Sequence, residues 1–392
     1  MRAVVFPGQG AQRKGMGVEL FERYPRLVEQ ADALLGFSLH ALCTDGADKL
    51  IDTRYTQPAL FMVSYLGYLD HEHRFGAPAM LAGHSIGEFA ALAASGVLDF
   101  TDALRLVDVR ARIMSTIRDG AMAAVIGPDS AGVARLIAST GCDGLEVANE
   151  NSPTQTIVAG LTGEIDTFVE RCREAGTRAV RLRVSGAFHS RHMKPAAASF
   201  AQALRDVRFN APRIPVVANV TARAHDASLP DVMAAHLYSP VRWMQSVHTM
   251  LDAGVGEFVE IGPAPVLGPM IEEIRTAHRV RPQSAPAALA AWPEFAPPPV
   301  PLNSADSMLV RDLFAAYHAP TLNAAHWLAL WQRGRDAMRA RGADWPALTL
   351  ASGPRALRRQ VRAALETLVA AAGAGAPPAP QDPTSFQPHP HG

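Results

Sequence analysis

From residue 1 to about 280, apolar runs of strand length alternate with stretches of helical periodicity, joined by short connections. That alternation predicts an α/β fold on a mostly parallel sheet. Ala3 to Phe6 reads as a buried opening strand, and Met80 to Ala82 as a second one ahead of a helix-forming run that begins at Glu88. Beyond residue 280 the pattern changes. Residues 281–303 are rich in Pro and Ala and read as a linker. Residues 304–372 show helical spacing, with Leu309, Leu313, Phe314 and Tyr317 on one side and Leu357, Val361, Leu365 and Leu368 in a later repeat. They read as a small helical appendage of unknown role, and residues 373–392 as a disordered tail.

One internal stretch carries a readable topology. Residues 121–127 are strand-like, 129–140 helical, 144–149 and 154–160 strand-like, 162–175 helical and 178–184 strand-like. The order β-α-β-β-α-β is the split unit of ferredoxin-like domains. It occupies about residues 121–185, inside a domain spanning 1–280.

Composition adds boundaries. The 392 residues hold 37 basic and 37 acidic side chains, so nothing at whole-chain level calls for nucleic acid or an anionic membrane. No run approaches the ~20 apolar residues that span a bilayer, and the N-terminal apolar stretch is too short for a signal peptide. Cys43, Cys142 and Cys172 are odd in number and lack metal-ligand spacing. They fit unpaired thiols in the cytoplasm.

The chemistry concentrates in a few loops. Gly83-His84-Ser85-Ile86-Gly87 is G-x-S-x-G between a strand and a helix, where glycines permit the sharp turn that presents a serine at the helix N-terminus. A Gly-rich turn with a serine cap is the plainer alternative. A serine hydroxyl needs a base within hydrogen-bond reach. His84 adjoins the serine but its side chain should point away, whereas His189, in VSGAFHSRHM after the inserted unit, is the better candidate; on pattern alone a strand-end histidine is more often structural. The loop Phe6 to Gln12 is crowded with small residues, so its backbone can approach a ligand, or it is an ordinary β–α turn.

Taken together these residues resemble one family. GQGAQ after the first strand, TQPALF (Thr56 to Phe61), GHSIGE, the arginine of VDVRARIM, GAFHS and EIGP (Glu260 to Pro263) occur in the order and separations of the malonyl-CoA:acyl carrier protein transacylases, over about residues 1–280. The resemblance implies a hydrolase-like parallel-sheet core carrying the ferredoxin-like subdomain. It implies that Ser85 is the acyl-enzyme nucleophile, His189 its general base and acid, and the backbone N–H groups of Gln9 and Ile86 the oxyanion hole. It further implies that Arg110 binds the substrate carboxylate. By pattern alone Arg110 reads instead as a solvated helix-face charge, with Arg105, Arg112 and Arg118 near it on the same helix. The family orients its histidine with a backbone carbonyl, so no third acidic member is assigned. His236 in HLYSPVRW stands where the bacterial enzymes usually carry a Gln that helps line the site, and it is expected to bind substrate there.

Malonyl-CoA and an acyl carrier protein are the implied partners, with no metal or redox cofactor; the phosphopantetheine belongs to the carrier. The phrases YTQPALF, NSPTQTIVAG and VSGAFHSRHM are closest to discrete, trans-acting acyltransferases that serve polyketide synthase modules. Arg178, Arg181, Arg183, Arg191 and Lys194 are candidates for a basic docking patch, or simply solvated strand ends. The rival functions are a hydrolase that clears stalled acyl groups from carrier proteins, the equivalent transacylase of fatty acid synthesis, and a docking role for residues 304–372.

Overall fold

The computed structural model describes residues 1–226 and 229–280, together with the helical residues Gln332, Arg333, Arg335 and Asp336. The chain divides into two units, residues 1–284 and 285–392. The linker, most of the helical region and the tail expected from the sequence lie outside the described residues.

The first unit is built on two four-stranded sheets. The strands are β1 (Arg2–Phe6), β2 (Met80–Gly83), β3 (Gly120–Ile126), β4 (Glu146–Ser152), β5 (Gln155–Leu161), β6 (Arg178–Arg181), β7 (Val216–Val217) and β8 (Glu257–Glu260). The core sheet has the order β7-β2-β1-β8 and is parallel throughout. β1 and β2 are apolar and buried along nearly their whole length, as strands covered on both faces must be. The helices Thr53–Phe75, Gly87–Ala94 and Phe100–Thr116 pack beside them, and every residue of Gly87–Ala94 is buried.

The second sheet is antiparallel, with the order β4-β5-β3-β6. Helices Ser130–Thr140 and Thr162–Glu174 pack against it over a core of its own, including Val125, Val158, Ile165 and Phe168. Element for element it follows the β-α-β-β-α-β reading, with two differences. β4 runs past the apolar stretch to Ser152, because two register shifts break the alternation and bury Asn149, Asn151 and Ser152. β6 is shorter than expected, because the chain leaves the sheet after Arg181 and carries residues 186–189 back toward the core. There Ala187 closes on Gly120, where a Cβ would lie 2.2 Å from its backbone nitrogen.

Among the described residues no helix is long and apolar enough to cross a membrane.

Candidate active site

Ser85 occupies the turn between β2 and the helix Gly87–Ala94 with φ 51°, in the left-handed region that a non-glycine residue rarely adopts. Gly83 and Gly87 make the turn possible. A Cβ on Gly83 would lie 1.9 Å from the backbone carbon of Gly87, and one on Gly87 would lie 2.2 Å from the carbonyl oxygen of Phe6. The elbow is therefore packed onto the end of β1, which brings the Gln9 loop beside it.

The Ser85 Oγ and His189 Nε2 are 2.7 Å apart. His189 is buried and also has a positive φ, 57°. Its Nδ1 faces two backbone carbonyls, His236 at 3.1 Å and Ser239 at 3.3 Å. Carbonyls only accept, so Nδ1 carries the proton and Nε2 presents its lone pair to the serine. Burial, followed by the nearby His236 and Arg110, holds the His189 imidazole well below its usual value, so the ring is neutral at physiological pH. A hydroxyl facing an unprotonated, oriented imidazole is the arrangement that activates a serine nucleophile. His84, as expected, points elsewhere: its Nε2 meets Asn151 Oδ1 at 2.8 Å and its ring stands edge-on to Trp243.

Among the described residues, neither the N–H of Ile86 nor that of Gln9 donates to a protein acceptor. Ile86 precedes the first residue of the buried helix, where backbone N–H groups lack intrahelical partners. The Gln9 side chain accepts from Thr53 Oγ1 at 3.0 Å, tying its loop to the helix Thr53–Phe75.

Arg110 departs most from its surface pattern. It is 1% exposed, whereas Arg105 and Arg112 on the same helix are exposed and paired with Asp102 and Asp108. Arg118 is not on that helix, which ends at Thr116; it donates to the Ile117 carbonyl. The Arg110 guanidinium donates to Gln57 Oε1 and, at 3.0 Å, to Ser85 Oγ, and it lies 5.8 Å from the centroid of the Phe89 ring. Its Nε has no partner, and among the described residues it forms no salt bridge. Burial lowers its pKa to about 9, with the Glu88 charge opposing, so it remains a cation at neutral pH. A buried guanidinium with neutral partners and a spare donor is suited to an incoming carboxylate.

The His236 ring is 1% exposed, packed edge-on against Phe89 and His189, with Nε2 3.4 Å from Glu88 Oε2. The His236 backbone carbonyl faces His189 Nδ1 at 3.1 Å. Burial lowers the pKa of the ring, so it is neutral at physiological pH.

Four polar residues of this neighbourhood were not singled out from the sequence: Gln57, Glu88, Asn219 and His225. Gln57 and Glu88 lie inside the TQPALF and GHSIGE motifs, so a signal was present. Burial pushes the Glu88 carboxyl up, but the His225 and His236 rings beside it outweigh this and hold it at about 2. Asn219 and His225 have no local signature. The described residues also enclose a cavity of about 540 Å³, lined by Thr221, Arg223, His225, Arg242, Gln245 and Thr249 among others. Neither Ser85 nor His189 lines it.

Of the basic residues near His189, Arg181 and Arg191 pair with Asp166 and Glu146. Arg178, Arg183 and Lys194 are exposed without a salt bridge among the described residues.

A serine at a strand–turn–helix elbow, an imidazole oriented on its hydroxyl and two unengaged amides beside it define the class of serine-dependent acyl-transfer enzymes. The chain belongs to the acyl transferase domain family, whose model matches residues 3–291. It is 41% identical over 317 residues to the polyketide biosynthesis protein ThaF of Burkholderia thailandensis, an alignment covering 78% of this chain and 27% of that longer protein. With the polyketide biosynthesis malonyl CoA-acyl carrier protein transacylase BaeC of Bacillus velezensis it shares 39% identity, over 72% of this chain and 99% of that one. The crystal structure of malonyl CoA-acyl carrier protein transacylase from Burkholderia pseudomallei superposes with a TM-score of 0.67 at 41% identity, covering 70% of this chain and 98% of that one.

Proposed function

We propose that the protein transfers a malonyl group from malonyl-CoA to the phosphopantetheine thiol of an acyl carrier protein, in trans for a polyketide synthase, through a malonyl-serine at Ser85. The observation that carries this reading is Arg110: a buried cation without a salt bridge among the described residues, 3.0 Å from the Ser85 hydroxyl. Malonate is an acyl group whose far end is a carboxylate. A guanidinium beside the nucleophile binds that end while the thioester carbonyl meets Ser85.

In the proposed sequence His189 Nε2 takes the hydroxyl proton as Ser85 Oγ attacks the thioester carbonyl. The N–H groups of Gln9 and Ile86 stabilise the oxyanion. On collapse the C–S bond breaks, and coenzyme A leaves with the proton from His189. The carrier's thiol then gives its proton to His189 and attacks the malonyl-serine, and the proton returns to Ser85 Oγ as the ester breaks. The chemistry calls for no metal or redox cofactor. We read the protein as cytoplasmic, in keeping with three unpaired cysteines.

We read the core as hydrolase-like and the inserted sheet as a ferredoxin-like subdomain; the spatial order second-third-first-fourth of its strands supports the latter. Arg178, Arg183 and Lys194 are proposed to face the acidic carrier protein. The equivalent transfer in fatty acid synthesis uses the same chemistry, and the resemblance to ThaF and BaeC favours the polyketide role. Hydrolysis of neutral acyl groups is disfavoured, because it would leave a desolvated guanidinium unused.

Mass spectrometry of the full chain incubated with mixed acyl-CoA thioesters tests this. A malonyl adduct confined to Ser85 is expected; an acetyl adduct formed equally well would overturn it.

A further inference from the structure

Glu88 lies three residues beyond Ser85 on the buried helix and is itself 0% exposed, yet the acyl-transfer chemistry gives it no role. A carboxylate is retained in such a place only when its oxygens are paired. Oε1 accepts from His225 Nε2 at 2.7 Å. Oε2 accepts the backbone N–H of Asn219 at 2.8 Å and lies 3.4 Å from His236 Nε2, without hydrogen-bond alignment.

Both residues on Oε2 lead to the reacting pair. Asn219 Oδ1 accepts the Ser85 N–H at 2.7 Å, and its Nδ2 donates to the Gly83 carbonyl at 2.6 Å. β7 pairs with β2 only at Leu81 with Val216 and Ala82 with Val217. Past that point the Asn219 side chain supplies the next acceptor and donor, gripping the strained turn at the Gly83 carbonyl and the Ser85 amide. His236 contributes its carbonyl to His189 Nδ1 at 3.1 Å, and its ring stands edge-on to the His189 ring at 5.6 Å.

We propose that Glu88 is the positioning carboxylate of this site, holding Ser85 through Asn219 and His189 through His236. No carboxylate touches His189 among the described residues. Glu88 orients the pair from one residue further away, and it orients the nucleophile and the base together. Because the Ile86 N–H follows directly on Ser85, the same grip sets the direction of that amide. The inference rests on the acyl-transfer reading of Ser85 and His189.

Glu88→Gln and Asn219→Ala in the full chain test it. Glu88→Gln keeps the volume and removes the charge. Asn219→Ala leaves Glu88 with its two histidines and severs only the link to the elbow. Each variant is measured for kcat and KM with malonyl-CoA, for thermal midpoint, and for the rate at which a fluorophosphonate probe labels Ser85. Small misplacements at a reacting centre cost about 10²-fold, so kcat and the labelling rate are expected to fall together by about that factor. For Asn219→Ala KM should stay within about threefold, because that change leaves Arg110 untouched, whereas Glu88→Gln also removes a charge that acts on Arg110. Folded variants with wild-type kcat and labelling rates, or with a raised KM alone, would overturn the proposal. Should Glu88→Gln not fold, Asn219→Ala decides it. The probe needs no acyl donor, so a wild-type chain that is labelled but transfers no malonyl group would refute the functional reading and leave this comparison intact.

Discussion

The Nδ1 of His189 lies 3.1 Å from the backbone carbonyl oxygen of His236, and that contact fixes which imidazole nitrogen faces Ser85. A carbonyl supplies orientation without a negative charge. The His189 ring therefore lacks the carboxylate that would hold its pKa up, and burial with nearby His236 and Arg110 lowers it well below its usual value. A base acts only when unprotonated, so activity is lost as pH falls through this depressed value. The pH profile of kcat/KM should stay level from neutrality to well below the ordinary imidazole value of about 6.5. An acid limb centred at or above that value would contradict the assignment.

The same burial makes stability pH-dependent. His84, His189 and His236 all have lowered pKa values, burial being the largest cause for each. Below about pH 6.5 the unfolded chain binds protons at these positions that the folded chain refuses, so stability rises with pH across that window and levels off above it. Glu88, held at about 2, adds a contribution that is lost only as pH falls below the ordinary carboxylate range. Thermal midpoints should fall between about pH 7.5 and 5.5, and substituting His236 should flatten the slope.

Arg110→Lys keeps the charge and loses the planar fork. A charge-assisted hydrogen bond contributes about 1.5–3 kcal/mol, so kcat/KM for malonyl-CoA should fall by about 10–100-fold. Steady-state kinetics with malonyl- and acetyl-CoA check this; an equal loss for both donors would show that Arg110 acts through Ser85 and not through the substrate carboxylate.

Gly87→Ala places a Cβ 2.2 Å from the Phe6 carbonyl oxygen and 2.9 Å from that of Pro7, both backbone atoms. Strand and helix must separate, at a cost of about 3 kcal/mol. Chemical denaturation should register that loss together with reduced labelling of Ser85.

Cys43 and Cys172 are fully buried, and burial pushes the Cys43 thiol up to about 12. Cys142 is only partly buried. A thiol reagent should modify Cys142 in the native protein and all three cysteines after denaturation. Rapid native labelling of Cys43 would mean that the core around it opens.

The elbow was legible in the sequence because everything that makes it is local: a four-residue strand, two glycines at the positions where a Cβ would strike backbone, and a helix directly after. The alternation of strands and helices and the order of the inserted sheet were legible for the same reason. β4 was misjudged at its end because bulges erased the alternation on which the reading depended. Arg110 is the clearest limit. On a helix with exposed Arg105 and Arg112 its letter signals solvent, and only the closure of three helices around it makes it the buried partner of Gln57 and Ser85.

The sequence by itself thus determined the nucleophile's setting, the alternating α/β architecture and the family. Tertiary structure decided the rest: that the carbonyl and not the ring of His236 holds His189, and that Asn219, 134 residues from Ser85, grips its amide. The division has one physical cause. Turn geometry and periodicity are set by neighbouring residues, whereas burial and hydrogen-bond partnership depend on which distant segments the closed sheet brings together, and a lone arginine, glutamate or asparagine does not encode that in its own position.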